Sequence, residues 1–557
     1  MTMQILTAAD MAETDRRTSQ AFGISISTLM ENAGTAVAEF SARQYPHVAR
    51  ILVLAGKGNN GGDGLVAARI LAALGRQVTV ALLGQETDLK GEAAAALHRL
   101  KPTSAELRIV TDEAALDVLA LPSFDLILDA VLGTGFKPPL RGLAAVVRDR
   151  LNALPATLIV AVDLPTGWDA DSTAQTAPDA YPANAVVTFT APKLAHVFGH
   201  LTPRQPFGPV VVAGIGSPPK AVVSSTNLTW TGASKTIAEA RRDINANKGK
   251  FGHVLLVGGS YGTAGAPSMS SLAALRAGAG LVTAAVPDSI LNLVALIAPE
   301  LMLAPLTQGP EGAVALANLA PDRLPELLKS KRISVLAVGP GLSTKGEASA
   351  FARQLVATTQ LPLVLDADAL NAFDSQAGGQ SGGADQLGGQ NRTLVLTPHP
   401  GEMARLLGCT VKEVEADRLN LARKFATEHK LTLVLKGWRT LVAHPDGRVA
   451  VNTSGNPALA KGGSGDILTG IVAALIAQFP SNPQDVARAV ETAVYLHGLA
   501  ADFAAHALDE HTVLATDTLA HLSDAFRYRT RDSTGLTWLT ALNSPGKGTE
   551  RNTGKNA

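Results

Sequence analysis

Ile51-Leu52-Val53-Leu54-Ala55-Gly56-Lys57-Gly58-Asn59-Asn60-Gly61-Gly62-Asp63-Gly64 is the stretch on which the fold turns. Ile51–Leu54 is a short apolar run that ends at Gly56, and Leu65–Leu74 then has helical character. Strand, glycine turn and helix in that order open a βαβ unit. Val78–Leu83, Phe124–Leu128 and Leu158–Val162 are further buried-strand candidates, which predicts a mostly parallel sheet. A second alternating series begins at His253–Val257 and runs through Val282–Val286, Ser334–Val338, Leu361–Leu365, Thr393–Leu396 and Leu431–Leu435. Two α/β domains are expected, over 1–216 and 248–530. Ser217-Pro218-Pro219 and Ser224-Ser225-Thr226-Asn227 mark a connection over 217–247. A disordered tail is expected over 531–557, and the Gly/Gln/Ser-rich insertion from Ser375 to Asn391 reads as a mobile surface loop.

Composition narrows the function classes. The chain has 557 residues, of which 46% are hydrophobic, enough for sizeable cores. Lys plus Arg and Asp plus Glu number 48 each, so no basic field draws nucleic acid or anionic lipid. Cys409 is the single cysteine, which excludes an intrachain disulfide and a cysteine-based zinc site. The first twenty residues lack a secretory core, and no run of about 20 apolar residues suggests a membrane helix. A reducing cytoplasm is the expected compartment.

The Gly56–Gly64 loop formally fits Gly-x-Gly-x-x-Gly, a weak signal alone. The ribose-binding acid expected near Glu86 is poorly placed, and no Gly-Lys-Ser/Thr marks a P-loop. A tight βα turn is the plain alternative. Asp129 follows Leu126-Ile127-Leu128 and leads into Gly133-Thr134-Gly135; Asp163 follows Ile159–Val162 and leads into Leu164-Pro165-Thr166-Gly167. A strand-end Asp is often only a helix cap. Two of them beside an Asn-rich glycine loop favour a site, because strand carboxyl ends in an open α/β sheet meet at one crevice.

Together these segments resemble the NAD(P)H-hydrate epimerase family over roughly residues 5–215, which implies a Rossmann-like three-layer α/β domain. The resemblance implies that Asn59, Asn60, Gly61, Gly62 and Asp63, with Gly133, Thr134, Gly135 and Phe136, bind the substrate and its phosphates. It implies potassium ligands at Asn60, Asp129 and Thr166, an oxygen-only set suited to a hard cation. The family usually has Ser where this chain has Thr166, which keeps the hydroxyl. Asp163 would be the catalytic acid/base, relaying protons at a hemiaminal carbon.

In the second half, Asn452–Pro457 precedes Ala460-Lys461-Gly462-Gly463-Ser464-Gly465-Asp466, and a helix can begin at Asp466. Backbone N–H groups of Gly463–Asp466 suit an anion hole, while a glycine turn capped by Asp is the bland reading. Gly-Ser-Gly-Asp opening a helix resembles the ribokinase-like fold. Thr397-Pro398-His399-Pro400-Gly401-Glu402, Val338-Gly339-Pro340-Gly341-Leu342 and Leu435-Lys436-Gly437 narrow it to the ADP- or ATP-dependent NAD(P)H-hydrate dehydratase family, over roughly 240–525. That resemblance implies nucleotide contacts at Lys436, Gly437, Trp438, Arg439, Thr440 and Gly465, through backbone only at Trp438 and Arg439. It implies substrate contacts at Ala266, Gly341, His399 and Asp466, with Asp466 the catalytic base, ADP the phosphate donor and Mg2+ on its phosphates. Read alone, His399 is more often structural, and Lys436 is equally a solvated strand-end lysine.

The joint expectation is a bifunctional isomerase and lyase acting on NADHX and NADPHX, assembled as a homo-oligomer without nucleic-acid or membrane partners. It would interconvert the R and S epimers and dehydrate the S epimer to NAD(P)H as ADP becomes AMP and phosphate. A ribokinase-like kinase with a stable phosphorylated product, and a non-catalytic N-terminal scaffold, are the rival readings. A dehydrogenase is a third, with no convincing hydride-transfer site in its support.

Overall fold

In a computed structural model, Ile51–Ala55 is buried on both faces, which its unbroken apolar run requires of a central parallel strand. The structure describes residues 2–154, 156–375, 383–389, 392–480 and 482–543. The chain divides into two units, Gln4–Thr226 with the segment from Arg529, and Asn227–Tyr528 with Met1–Met3.

The first unit holds β1 (Arg50–Ala55), β2 (Gln77–Leu83), β3 (Glu106–Val110), β4 (Leu126–Ala130), β5 (Leu158–Val162), β6 (Ala185–Phe189) and β7 (Val210–Ala213). They lie in the order β7-β6-β5-β4-β1-β2-β3, all pairs parallel. This is a doubly wound sheet whose order reverses between β1 and β4, where such sheets open a crevice beyond the strand ends. Helices Ile26–Gln44, Asn59–Ala73 and Gly91–Leu100 supply the core on one face through Val37, Leu65, Leu71 and Leu97. Val147 and Leu151 of helix Leu143–Asn152 pack on the other.

Three expectations need correction here. The segment from 531 was expected to be disordered, yet Thr537–Thr540 pairs antiparallel with β7 as an eighth strand. Trp538 is buried, its ring 6.2 Å from that of Phe40. The polar flanks hid Leu536-Thr537-Trp538-Leu539, a short apolar segment that covers the β7 edge of the sheet. The tail from 544 lies outside the described residues.

The second unit holds β8 (Leu228–Trp230), β9 (His253–Val257), β10 (Leu281–Pro287), β11 (Met302–Leu306), β12 (Val335–Val338), β13 (Leu363–Leu365), β14 (Leu394–Leu396), β15 (Thr432–Leu435), β16 (Leu441–Ala443) and β17 (Val449–Val451). Their order is β11-β10-β9-β12-β13-β14-β15-β16-β17-β8. The pairs from β11 to β15 are parallel, and β16 runs antiparallel to both neighbours. The stretch 217–247 is therefore no free linker. Leu228–Trp230 pairs with β17, and the Trp230 indole donates to Thr453 Oγ1 at 2.7 Å. Of the insertion 375–391, positions 376–382 and 390–391 lie outside the described residues. The described part is anchored rather than free, with Leu387 1% exposed.

Two candidate active sites

The first site forms at the reversal of strand order. A cleft of about 1300 Å³ is bordered by the Gly58–Asn60 turn, the Gly133–Lys137 loop, Asp63 and Asp163. The plain turn reading accounts for part of the glycine loop: a Cβ on Gly56 would lie 2.0 Å from the Val131 carbonyl oxygen, and one on Gly61 1.9 Å from that of Gly56. Gly58 differs, since a Cβ there would meet nothing within 4 Å. It caps helix Asn59–Ala73 without a side-chain hydrogen bond, leaving backbone donors at the helix start open to the cleft. Gly61 and Gly62 are buried within that turn, while Thr134, Gly135 and Phe136 border the cleft.

Asp129 is fully buried in β4. Its carboxylate accepts from the Thr166 amide at 2.7 Å and the Thr166 hydroxyl at 2.6 Å. Burial pushes its pKa up to about 6 against these donors. The buried side-chain oxygen and nitrogen of Asn60 have no hydrogen-bond partner, and the Asn60 side chain lies close to Gly133. An orphaned amide oxygen, a carboxylate and a hydroxyl are oxygen donors of the kind that suit a monovalent cation. Among the described residues no group of three or more His, Cys, Asp or Glu side chains is arranged to hold a metal ion.

Asp163 follows β5 with φ of 64°, in the left-handed region where non-glycine residues are uncommon. Its Oδ1 accepts from Lys193 Nζ at 2.8 Å and from Thr188 Oγ1 at 2.8 Å. Lys193 is 1% exposed, and its ammonium also reaches Thr188 Oγ1 and the Phe189 carbonyl. The Lys193 amide donates to His196 Nδ1, so the proton sits on Nε2, which donates to the Asp163 carbonyl at 2.6 Å. Burial drives His196 down to about 4 and keeps it neutral. Burial also pushes Asp163 up, but the Lys193 ammonium and the hydrogen bonds outweigh it and hold Asp163 below the ordinary carboxylate value. Asp163 is thus an ionised, oriented carboxylate. Lys193, Thr188 and His196 escaped the sequence reading, although Lys193 ends Thr190-Ala191-Pro192-Lys193 just after an apolar strand, a usable signal.

The second site gathers at the ends of β12 to β15 and the start of helix Ser464–Gln478, whose cap Gly463 has φ of 95°. The helix begins two residues before the expected Asp466, which places that Asp in its first turn. Burial, reinforced by Asp366, pushes Asp466 up to about 7 even though Lys436 pulls the other way. Lys436 Nζ donates to Asp366 Oδ1 at 3.0 Å and lies 3.8 Å from Glu402 Oε2. Asp366 also accepts from Thr397 and Thr469, each at 2.8 Å. Gly465 fits against this pair, since a Cβ there would sit 3.3 Å from Lys436 Nζ.

Gly341 and Ala266 are neighbours, as a Cβ on Gly341 would lie 3.1 Å from that of Ala266. His399 has a structural job: its Nδ1 accepts from the Gly401 amide at 3.0 Å and caps helix Pro400–Leu407. Nε2 then carries the proton and faces Glu402 Oε1 at 3.4 Å, with the side chain 51% exposed. Arg439 turns inward and donates to the Thr453 carbonyl at 2.6 Å. Trp438, 4.4 Å beneath its guanidinium, is half-buried. Asp366, Thr469 and Arg418 were missed. Asp366 follows Leu363–Leu365 by the same strand-end pattern that exposed Asp129 and Asp163. Arg418 binds the carbonyls of Leu435, Lys436 and Trp438 and so shapes the Lys436–Thr440 turn, a long-range role without local sequence signal.

These features define a class: an enzyme of two α/β units, each with a glycine-rich turn and a carboxyl at the strand ends. Residues 26–195 match the family model of the YjeF-related protein N-terminus, and 254–525 match that of NAD(P)H-hydrate dehydratase. The bifunctional NAD(P)H-hydrate repair enzyme of Moorella thermoacetica is 41% identical over 537 residues, covering 94% of this chain and 97% of that one. The Escherichia coli protein of the same description is 36% identical, covering 92% of each. A crystal structure of ADP/ATP-dependent NAD(P)H-hydrate dehydratase from Bacillus subtilis is 30% identical over 53% of this chain and 96% of its own, with a TM-score of 0.44. The chain belongs to the bifunctional NAD(P)H-hydrate repair enzyme family, with the isomerase function in its N-terminal domain and the lyase function in its C-terminal domain. Among the described residues no helix is long and apolar enough to cross a membrane.

Proposed function

We propose that the first cleft interconverts the R and S epimers of NADHX and NADPHX, with Asp163 as the acid/base. Asn59, Asn60 and Asp63 and the Gly133–Phe136 loop bind the substrate. Asn60, Asp129 and Thr166 would hold potassium, which would supply fixed positive charge for an anionic substrate. The buried, partnerless Asn60 oxygen supports that assignment.

The second site dehydrates the S epimer. Asp466 takes the substrate hydroxyl proton, and the oxygen attacks the terminal phosphorus of ADP as its bond to AMP breaks. The ring nitrogen lone pair then expels phosphate, and loss of a proton from the adjacent carbon restores the reduced ring. Lys436 and the backbone from Gly437 to Thr440, with Gly465, face the nucleotide; Ala266, Gly341, His399 and Asp466 face the substrate. Magnesium would neutralise the nucleotide phosphates and needs no all-protein cage. The observation that carries this reading is Asp466, in the first turn of a helix, with its pKa brought to about 7 by burial and Asp366. A base is most effective when its pKa lies near the working pH.

The test is recovery of reduced-nicotinamide absorbance from both NADHX epimers with ADP, magnesium and potassium. Full recovery is expected, stalling after one epimer in Asp163→Asn and absent in Asp466→Asn. Accumulation of a stable phosphorylated product would replace this reading with a kinase.

A further inference from the structure

Epimerisation at the hydroxyl-bearing carbon needs two proton events, and Asp163 alone would have to serve both. Held ionised by Lys193, it has a free site to accept a proton but carries none to give to a departing hydroxyl. The neighbouring groups are committed. The Lys193 ammonium faces three acceptors, Asp163 Oδ1, Thr188 Oγ1 and the Phe189 carbonyl, one for each of its protons. His196 uses both ring nitrogens within the protein and is fully buried.

Asp15 is placed differently. It lies on helix Ala8–Phe22, on the stripe that buries Met11, Thr14 and Thr18, where an apolar residue would be ordinary. It borders the cleft, as do Asp63, Asp163 and Lys193. Its Oδ1 is buried and has no hydrogen-bond partner. We infer that Asp15 is a second catalytic carboxyl of the epimerase cleft, the proton donor that works opposite Asp163. This rests on the epimerase reading of the cleft.

In the step, the Asp15 carboxyl proton passes to the substrate hydroxyl. The C–O bond breaks with both electrons going to oxygen, water departs, and the ring nitrogen lone pair stabilises the cation. Water then adds to the opposite face, and Asp163 takes the proton it sheds as the new C–O bond forms. The sum is one proton moved from Asp15 to Asp163, returned through solvent, with no change of oxidation state. Burial supports the assignment by lifting Asp15 to about 6, with Lys193 pulling down and Asp163 pushing up. Asp63, the other carboxyl facing it, is raised by burial and by both aspartates.

The experiment follows epimer interconversion by chromatography in the full chain without nucleotide, across pH, corrected for the spontaneous rate. Wild-type kcat should fall as pH rises past about 6. Asp15→Asn should lose about 100-fold in kcat with KM nearly unchanged, and should lose that falling limb. Asp15→Glu should recover part of the rate. A falling limb retained in Asp15→Asn, or removed by Asp63→Asn instead, overturns the inference. An Asp163→Asn variant that still interconverts the epimers would show that the cleft itself was misread; Asp163→Asn inactive with Asp15→Asn unaffected sinks only the role of Asp15.

Discussion

Replacing Lys193 by Met removes the ammonium that bonds Asp163 while keeping most of the length of the side chain. At the effective dielectric of about 20 that suits protein sites, two unit charges 2.8 Å apart attract by about 6 kcal/mol. Desolvation of both groups offsets much of this. Removing one partner of a buried pair costs about 3–5 kcal/mol, because the other charge is left uncompensated. In a unit of this size that is a fall of roughly 6–20 °C in its unfolding midpoint. The pH dependence has a definite sign. Asp163 is held below its unfolded pKa, so its stabilisation is present above the unfolded value and fades as pH falls through the folded one. In Lys193→Met the cation is gone and burial alone acts, which raises the pKa and turns the ionised carboxylate into a penalty. The gap between wild type and variant should therefore be widest at neutral pH and close in acid, while the acid limb of the epimerisation rate moves upward. Calorimetry and a pH–rate profile measure the two effects. An acid limb that stays put, with stability unchanged at neutral pH, would refute the claim that Lys193 sets the charge state of Asp163.

Other expectations follow from the same contacts. Thr166→Val takes from Asp129 a hydroxyl donor at 2.6 Å, a bond to a charged group worth about 1.5–3 kcal/mol, and should abolish activation of epimerisation by potassium chloride relative to sodium chloride. Asp466→Asn should cut dehydration about 10²–10⁴-fold. Since folding raises the pKa of Asp466 to about 7, its ionisation destabilises the fold as pH rises towards that value, so the variant should unfold later than wild type at pH 8 and not at pH 4. Arg418→Ala frees the carbonyls of Leu435 and Lys436 and should raise the KM for ADP about tenfold with less effect on kcat, read by steady-state kinetics. Trp538→Ala should destabilise the first unit by about 3–5 kcal/mol in denaturant titration, since the indole is buried against Phe40.

Much of this protein is written locally. The runs that form β1, β5, β9 and β10 are continuous and apolar because strands of a parallel sheet are covered on both faces, and the glycine turns after them stand out for the same reason. The strand-end positions of Asp129 and Asp163, and the place of Asp466 beside a glycine run, were legible too, and with them the family. Charge states and partners were not. Lys193 lies thirty residues from Asp163 and Lys436 seventy from Asp366, and only the sheet order brings each pair within bonding distance. Arg418 and Asp15 look like ordinary helix-surface residues until packing turns one onto the Lys436 turn and the other towards the cleft. Thr537–Thr540 joins a strand more than 320 residues earlier, a pairing no local pattern encodes. A sequence specifies which segments must be buried, because burial of apolar surface is a property of the segment. It leaves unstated which buried charge meets which, because that depends on distances set only when the whole chain has closed.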